Sequence, residues 1–325
     1  MSAPKWILII AVTLFSGIGI AALVKKGKGK QVAPVAVAKK PLGEKPSEPC
    51  VSPPQMPRSE VSVKDALPNI DRIFQLFTTS SSKLPIVETL NYSSSVSWLK
   101  GRPAWIADYA TYYGTSRHFI ARSLNGGTDY FSQRVSEGSK FNVFRKDKKI
   151  QFYLLVDISH CKMGFYYVDQ DTNERVLLKT YAVGLGRADA ASASGTLTPL
   201  GRYELGSKVA IYQPGTMGFY QDQQIEMMRV FGTRWIPFDK AVERATAPAK
   251  GYGLQGAPWV PNAQGQLLEN KSVIGSYDSN GCICMSGDDI AELFAIVVTK
   301  PTFIEIVKNV HEAKLPGVEV ATPSR

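Results

Sequence analysis

The sequence predicts a mainly β fold for its larger half, with one main helix, preceded by a small α+β module. Three observations carry the prediction. From residue 150 onward, short runs of β-branched and aromatic residues alternate with turn residues, starting with runs 150–158 and 163–168 around Ser159-His160-Cys161-Lys162. In that half one stretch, 288–298, has a helical apolar stripe, made by Ile290, Leu293, Phe294 and Val297. Before it, residues 94–146 hold two short helical patterns followed by a strand.

The chain opens with an apolar run, 6–24, that contains no charge. A helix rising about 1.5 Å per residue would nearly cross a bilayer over that length. Segment 1–24 therefore reads as a transmembrane anchor, with a signal segment as the alternative because Gly19 and Ala21 offer small residues for cleavage. Residues 25–65 are rich in Lys and Pro and read as an extended tether. The net charge of +10 looks at first like a nucleic-acid signal. Residues 25–50, however, hold seven lysines against two glutamates, a net +5 beside the apolar segment. That location favours a membrane surface or an anionic wall over base reading. No zinc-finger or helix-turn-helix spacing accompanies it, so nucleic acid is not an expected partner.

Residues 66–93 form a spacer with a short helix at 71–77, ended by the run Thr78-Thr79-Ser80-Ser81-Ser82. In the module 94–146, Ile106, Tyr109, Ala110 and Tyr113 have helical spacing. Thr115 and Ser116 can cap a second helix at 117–124, which turns Phe119, Ile120 and Leu124 to one side. A turn at 135–138 leads into a strand at 140–144. The run resembles the second half of LysM domains in Ile106-Ala107, Tyr113, Thr115, Ile120, Asn125, Gly138 and Val143. Leu99-Lys100-Gly101-Arg102 replaces the opening Gly-Asp-Thr turn of that family. The resemblance implies a small LysM-like domain with glycan strands as a partner. A helical spacer is the plainer alternative.

Residues 150–310 continue as strands at 176–183, 202–206 and 231–238, a glycine-rich run at 251–256, the helix at 288–298 and a closing strand at 302–307. Asp288 and Asp289 stand in the first helical turn, where negative charge suits the exposed N–H groups. Residues 311–325 read as a tail. The four cysteines, Cys50, Cys161, Cys282 and Cys284, have no structural zinc spacing. A disulfide framework is not expected, and neither a metal nor a cofactor is implied.

Four features together make residues 150–307 resemble the YkuD-type L,D-transpeptidase catalytic domain. They are Val156-Asp157-Ile158, Thr198-Pro199-Leu200-Gly201, Gly253-Leu254-Gln255-Gly256-Ala257-Pro258, and Ser279-Asn280-Gly281-Cys282-Ile283-Cys284-Met285 ahead of the helix. The resemblance implies a β-sandwich with its main helix near an active-site cysteine. Members of that family act on peptidoglycan. A cysteine thiolate attacks a donor stem tetrapeptide, expels the terminal D-alanine, and passes the acyl group to an acceptor amine; some members attach stems to lipoproteins or cut such links. The substrate lies outside the inner membrane. The resemblance therefore implies a periplasmic domain, although the lysines after residue 24 favour a cytoplasmic one.

Carried onto this chain, Cys282 is the nucleophile, with backbone N–H groups near Gly281 and Cys282 as the oxyanion site. Tyr252, Gly256, Trp259, Tyr277, Ser279 and Cys284 are candidate substrate contacts. The chain departs from the family at three positions. Gln255 and Asn280 stand where the family has histidines, and Cys284 where it has an arginine. An amide does not titrate near neutral pH, so Gln255 and Asn280 can orient a carbonyl or donate to an oxyanion but cannot act as a base. The histidines present, His118, His160 and His311, read as surface, turn and tail residues. Three readings stay open, the first two being a divergent cysteine acyltransferase assisted by Tyr252, Tyr277 or Asp278, and a catalytically impaired relative that binds peptidoglycan. A structural envelope protein with no stem-peptide site is the third, which a polar cleft holding Gln255, Asn280 and Cys282 would contradict.

Overall fold

The structure is a computed structural model, and it describes residues 66–126 and 135–320. The expected anchor and tether, 1–65, and the end of the tail, 321–325, lie outside the described residues. Among the described residues no helix is long and apolar enough to cross a membrane.

The chain enters through a single helical turn, α1 (Phe74–Phe77), then β1 (Val87–Asn91), α2 (Ile106–Tyr112), α3 (Arg117–Asn125) and β2 (Lys140–Phe144). β1 pairs antiparallel with β2, from Val87 against Phe144 to Asn91 against Lys140. The module thus opens at residue 87, earlier than the expected 94, because its first strand lies in what reads as spacer. Ser116 caps α3 by accepting the Phe119 N–H, as its sequence position suggests, and its hydroxyl also donates to the Ala295 carbonyl. Ala104, Tyr109, Ala110, Ile120, Phe141 and Val143 give the module a small core of its own. Phe119 and Phe144 belong instead to the core of the larger half. A file of rings, Phe77, Phe119, Phe144, Phe152 and Phe165, crosses between them at successive centroid distances of 5.1, 4.5, 5.7 and 5.3 Å.

The larger half runs β3 (Ile150–Asp157), β4 (Lys162–Asp169), β5 (Glu174–Ala182), β6 (Leu185–Gly186), β7 (Gly201–Leu205) and β8 (Ala210–Ile211). A hairpin follows, β9 (Met217–Tyr220) and β10 (Gln223–Glu226), then the helical turn α4 (Met228–Phe231), β11 (Arg234–Glu243) and β12 (Gly253–Gly256). After them come β13 (Trp259–Pro261), β14 (Leu267–Glu269), β15 (Tyr277–Ser279), β16 (Ile283–Met285), α5 (Gly287–Val297), β17 (Thr302–Val307) and β18 (Val318–Glu319). One continuous sheet has the order β16-β12-β11-β7-β17-β3-β4-β5-β18, with β8 also on β11. The expected sandwich of two sheets is therefore a single curled sheet. β11 causes the curl. Its first part pairs with β12, its last part with β7, and register shifts at Phe238/Lys240 and Ala241/Glu243 mark irregularities where bulged strands bend.

The central strands are buried on both faces, which is why they read as nearly unbroken apolar runs. Phe152, Leu154 and Val156 of β3 join the main core under α5, while Tyr153 and Leu155 point to a second layer closed by Leu67, Val310, Ala313 and Leu315. α5 presents Ile290, Leu293, Phe294 and Val297 to the sheet. Its start is fixed by Ser286, whose hydroxyl accepts from Asp289 N and donates to the Asp289 carboxylate. The expected strand 231–238 begins later, at Arg234, because Gly232 closes the α4 turn with φ +60°.

Candidate functional site

β16 runs parallel to β12 at one end of the sheet, so Leu254, Gln255 and Gly256 lie beside Ile283, Cys284 and Met285. This pairing brings the two glycine-rich motifs of the sequence together. The turn before β16 is tightly fixed. Gly281 has φ +108°, and a Cβ there would stand 2.6 Å from the Leu197 carbonyl and 2.8 Å from the Tyr252 ring. Only glycine fits. The Ser279 hydroxyl accepts from Gly281 N at 3.1 Å and donates to the Cys282 carbonyl at 2.6 Å. Leu197 precedes the Thr198-Pro199-Leu200-Gly201 turn, whose buried Thr198 hydroxyl accepts from Gly186 N at 2.8 Å. That sequence motif is therefore the buttress behind the cysteine turn.

A cleft of about 560 Å³ opens in front of this turn, lined by Cys282, Cys284, Gln255, Asn280 and Ser279 on one side. Tyr212, Tyr220, Arg229, Val230, Phe231 and Trp235 line it from the segment between β7 and β12. Phe231 is the centre of that second wall, with ring centroids 5.9 Å from Tyr212, 5.6 Å from Tyr220 and 5.0 Å from Trp235.

Cys282 is half-buried, and its thiol donates to the Gly251 carbonyl at 3.7 Å. Burial pushes this thiol up to about 11, against a small opposing effect of the backbone at Gly253. Cys284 is buried beside it; burial, and then the neighbouring Cys282, raise it to about 12. At pH 7 roughly one Cys282 in ten thousand is then thiolate. Gln255 does not serve the thiol as a base would. Its Nε2 donates to the Val230 carbonyl at 3.0 Å, which ties β12 to the α4 turn. The start of α5 gives no help either, since Gly287 N already donates to the Glu269 carboxylate at 2.5 Å.

The other expected residues divide. Asn280 is exposed on the cleft wall. The Gly281 amide is engaged by Ser279, which leaves the Cys282 amide as the oxyanion donor to consider. Tyr277 faces away: its hydroxyl donates to the Ile158 carbonyl at 2.6 Å, in the first hairpin, and it does not line the cleft. Tyr252, Gly256 and Trp259 are also outside the lining. Tyr252 instead packs against Gly281 and the core, and Gly256 against Gly232. His160 is held by Asp157 through Nδ1 at 2.7 Å, and His118 lies on the Phe294 ring at 5.1 Å; neither lines the cleft. Sequence reasoning missed Tyr212, Tyr220, Arg229 and Phe231. The signal available was an aromatic-rich stretch broken by Pro214-Gly215 and Gln221-Asp222.

The model of the L,D-transpeptidase catalytic domain, YkuD, matches residues 151–306. The chain carries a YkuD-type domain. No curated protein matches it. Among solved structures, it is similar to Bd1075 of Bdellovibrio bacteriovorus, with 16% identity over 48% of each chain and a TM-score of 0.33. It is also similar to the helical cell shape determining protein Pgp2 of Campylobacter jejuni, with 16% identity, 52% of this chain and 51% of that chain covered, and a TM-score of 0.34. The chain thus spans about half the length of these structures. The YkuD match begins after the β1–β2 module and lends nothing to the LysM resemblance.

Proposed function

We propose that residues 150–310 bind peptidoglycan stem peptides in the Cys282 cleft, and that the acyl-transfer chemistry of the YkuD family is impaired in this chain. One observation supports the reading above others. The Cys282 thiol meets a carbonyl, which can only accept its proton as a hydrogen bond, and no imidazole lines the cleft among the described residues. Wild type and Cys282→Ala are both expected to be retained on purified sacculi; failure of both to bind, with folding verified, ends the reading.

A second reading, slow acyl transfer through Cys282 to an acceptor amine, is favoured by the position of the sulfur on the cleft wall and by Asp278 as a carboxylate in the same cleft. A carbapenem, whose strained carbonyl mimics the donor, distinguishes the two. An adduct on intact wild-type protein at neutral pH, lost in Cys282→Ala, supports acyl transfer; an adduct that forms only near pH 10 supports impairment.

The βααβ module belongs to the same reading as a LysM-like contact to glycan strands. Trp105 is 67% exposed, and Tyr112 stacks on Trp98 with centroids 4.4 Å apart, the kind of flat aromatic surface on which sugar rings pack. Residues 6–24 would hold the protein at the inner membrane with the cleft in the periplasm. A reporter joined after residue 60 tests this, and a cytoplasmic signal contradicts it.

A further inference from the structure

His118 reads from the sequence as a surface residue, yet the structure half-buries it at the seam between the βααβ module and the larger half. It stands in α3, and its ring meets the Phe294 ring of α5 edge-on, with centroids 5.1 Å apart and planes at 83°. The guanidinium of Arg234, the first residue of β11, lies 5.5 Å from the same Phe294 ring. One aromatic ring thus carries an imidazole from the module and a cation from the sheet. The groups that act most on His118 are of one sign: Arg234 on β11, and Arg117 and Arg122 on its own helix. The carboxylates of α5 are directed elsewhere. Glu292 is held by Lys179 at 2.7 Å and by the Tyr181 hydroxyl at 3.0 Å. Asp289 lies 3.2 Å from Lys179 and accepts from the Ser286 hydroxyl, and Asp288 is exposed. Glu292 and Asp288 act on Arg122. Burial first, and then the three guanidinium groups, push His118 down to about 4. Arg234 is itself lowered by burial and then by Arg122, so a further positive charge enters a place where cations are already crowded.

A neutral imidazole can pack on Phe294 beside Arg234. An imidazolium would add a second cation to that ring, half out of water. We propose that the His118–Phe294–Arg234 stack is an acid-sensitive latch, which holds the module on the larger half while the imidazole is neutral and lets go of α3 when His118 takes up a proton. The latch also touches the cleft. Arg234 Nη1 donates to the Thr233 carbonyl at 2.8 Å, and the next residue, Trp235, lines the cleft wall, so one contact sets both the module and the base of that wall. The direction of the pH effect follows from the proton balance. In the released state His118 titrates near its ordinary 6.5, in the latched state near 4. The released state therefore binds the proton first. The latch is fully effective above pH 6.5, weakens as pH falls, and reaches its lower limit once pH has passed 4. Release should open the module itself, because Phe119 of α3 and Phe144 of β2 belong to the core of the larger half.

The test uses the full chain and two measurements. The imidazole signals of the three histidines are followed by NMR as pH is lowered, with His118→Gln assigning the signal of His118. Its midpoint is expected at about 4, and a midpoint at the ordinary 6.5 overturns the latch. Arg234→Met, which removes the other cation from the Phe294 ring, should raise that midpoint; an unchanged one overturns the shared-ring account. Amide hydrogen exchange, corrected for its intrinsic pH dependence, then reads the opening of α3 and β2. Between pH 7 and pH 4.5 the opening constant in wild type should rise about fiftyfold, the ratio set by midpoints of 6.5 and 4. It should stay nearly flat in His118→Gln, and also in His118→Phe, which keeps an aromatic ring on Phe294. The amides of β3 and β4 should remain protected throughout. The same rise in wild type and in both variants overturns the proposal, and so does a wild-type rise that is equally large in β3 and β4, since acid would then be unfolding the whole domain.

Discussion

The wall that carries Cys282 is built from short buried strands whose backbones touch, whereas the wall facing it is a hairpin and a helical turn with exposed side chains. In the first, Gly281, Gly256 and Gln255 are buried. In the second, Phe219 is 79% exposed and Met217 53%. The difference teaches where this chain can change without losing its fold. Close backbone approach fixes the cysteine turn, so its glycines are constrained by sterics. The identities at 255, 280 and 284 are constrained only by what the side chain meets, and there amides and a thiol now stand. The side-chain hydrogen bond from Gln255 to Val230 ties the helical turn of the second wall to the first, beside the β11–β12 pairing.

The comparison breaks most severely at Gly281. Gly281→Ala adds a Cβ 2.6 Å from a carbonyl at φ +108° and is expected to destabilise by about 3 kcal/mol or more, lowering Tm by roughly 10 °C. An unchanged melting curve contradicts the steric account. Gln255→Leu comes next. It removes the side-chain tie to the α4 turn and leaves the Val230 carbonyl without that partner, for about 1–2 kcal/mol. Limited proteolysis should show faster cutting between residues 207 and 233; equal cutting means that the link does not hold that wall.

A smaller effect is pH-dependent. The folded pKa of Cys282 is raised to about 11 from an ordinary 9.0. In the unfolded chain the thiol ionises first, so its stabilising effect is fully present below pH 9 and is lost as pH rises through 11. Denaturant titrations of wild type and Cys282→Ala should converge towards alkaline pH. In the same window iodoacetamide labelling of Cys282 should rise about tenfold per pH unit, and a plateau already reached at pH 8 would show an activated thiolate. The smallest effect belongs to the exposed wall: Phe219→Ser should change stability by less than about 0.5 kcal/mol. A larger loss would mean that the hairpin is packed against something.

Much of the β half was legible in the sequence. The closing strand Thr302–Val307 and the helix Gly287–Val297 fall where their apolar periods put them. Period-2 and period-3.6 patterns record local burial, and burial is what a sequence encodes directly. The single curled sheet was not legible, because the bend lies in how β11 divides itself between β7 and β12, a pairing choice that leaves no local period. The first strand of the module was hidden for a similar reason: its partner stands on the far side of both helices, from Val87 to Phe144.

The sequence alone determined the family motifs, the cysteine at 282 and the amides that replace the expected bases. Those are statements of chemical identity. Only the tertiary structure decided what each group meets. It turned Tyr277 towards the first hairpin, engaged Gln255 on Val230, and brought Arg229 to the cleft from a stretch with no signature of its own. The physical reason is that a site is made by long-range contacts. Residues 229 and 278 share a cleft because β11, β12 and β16 lie side by side, and no sequence period spans that separation.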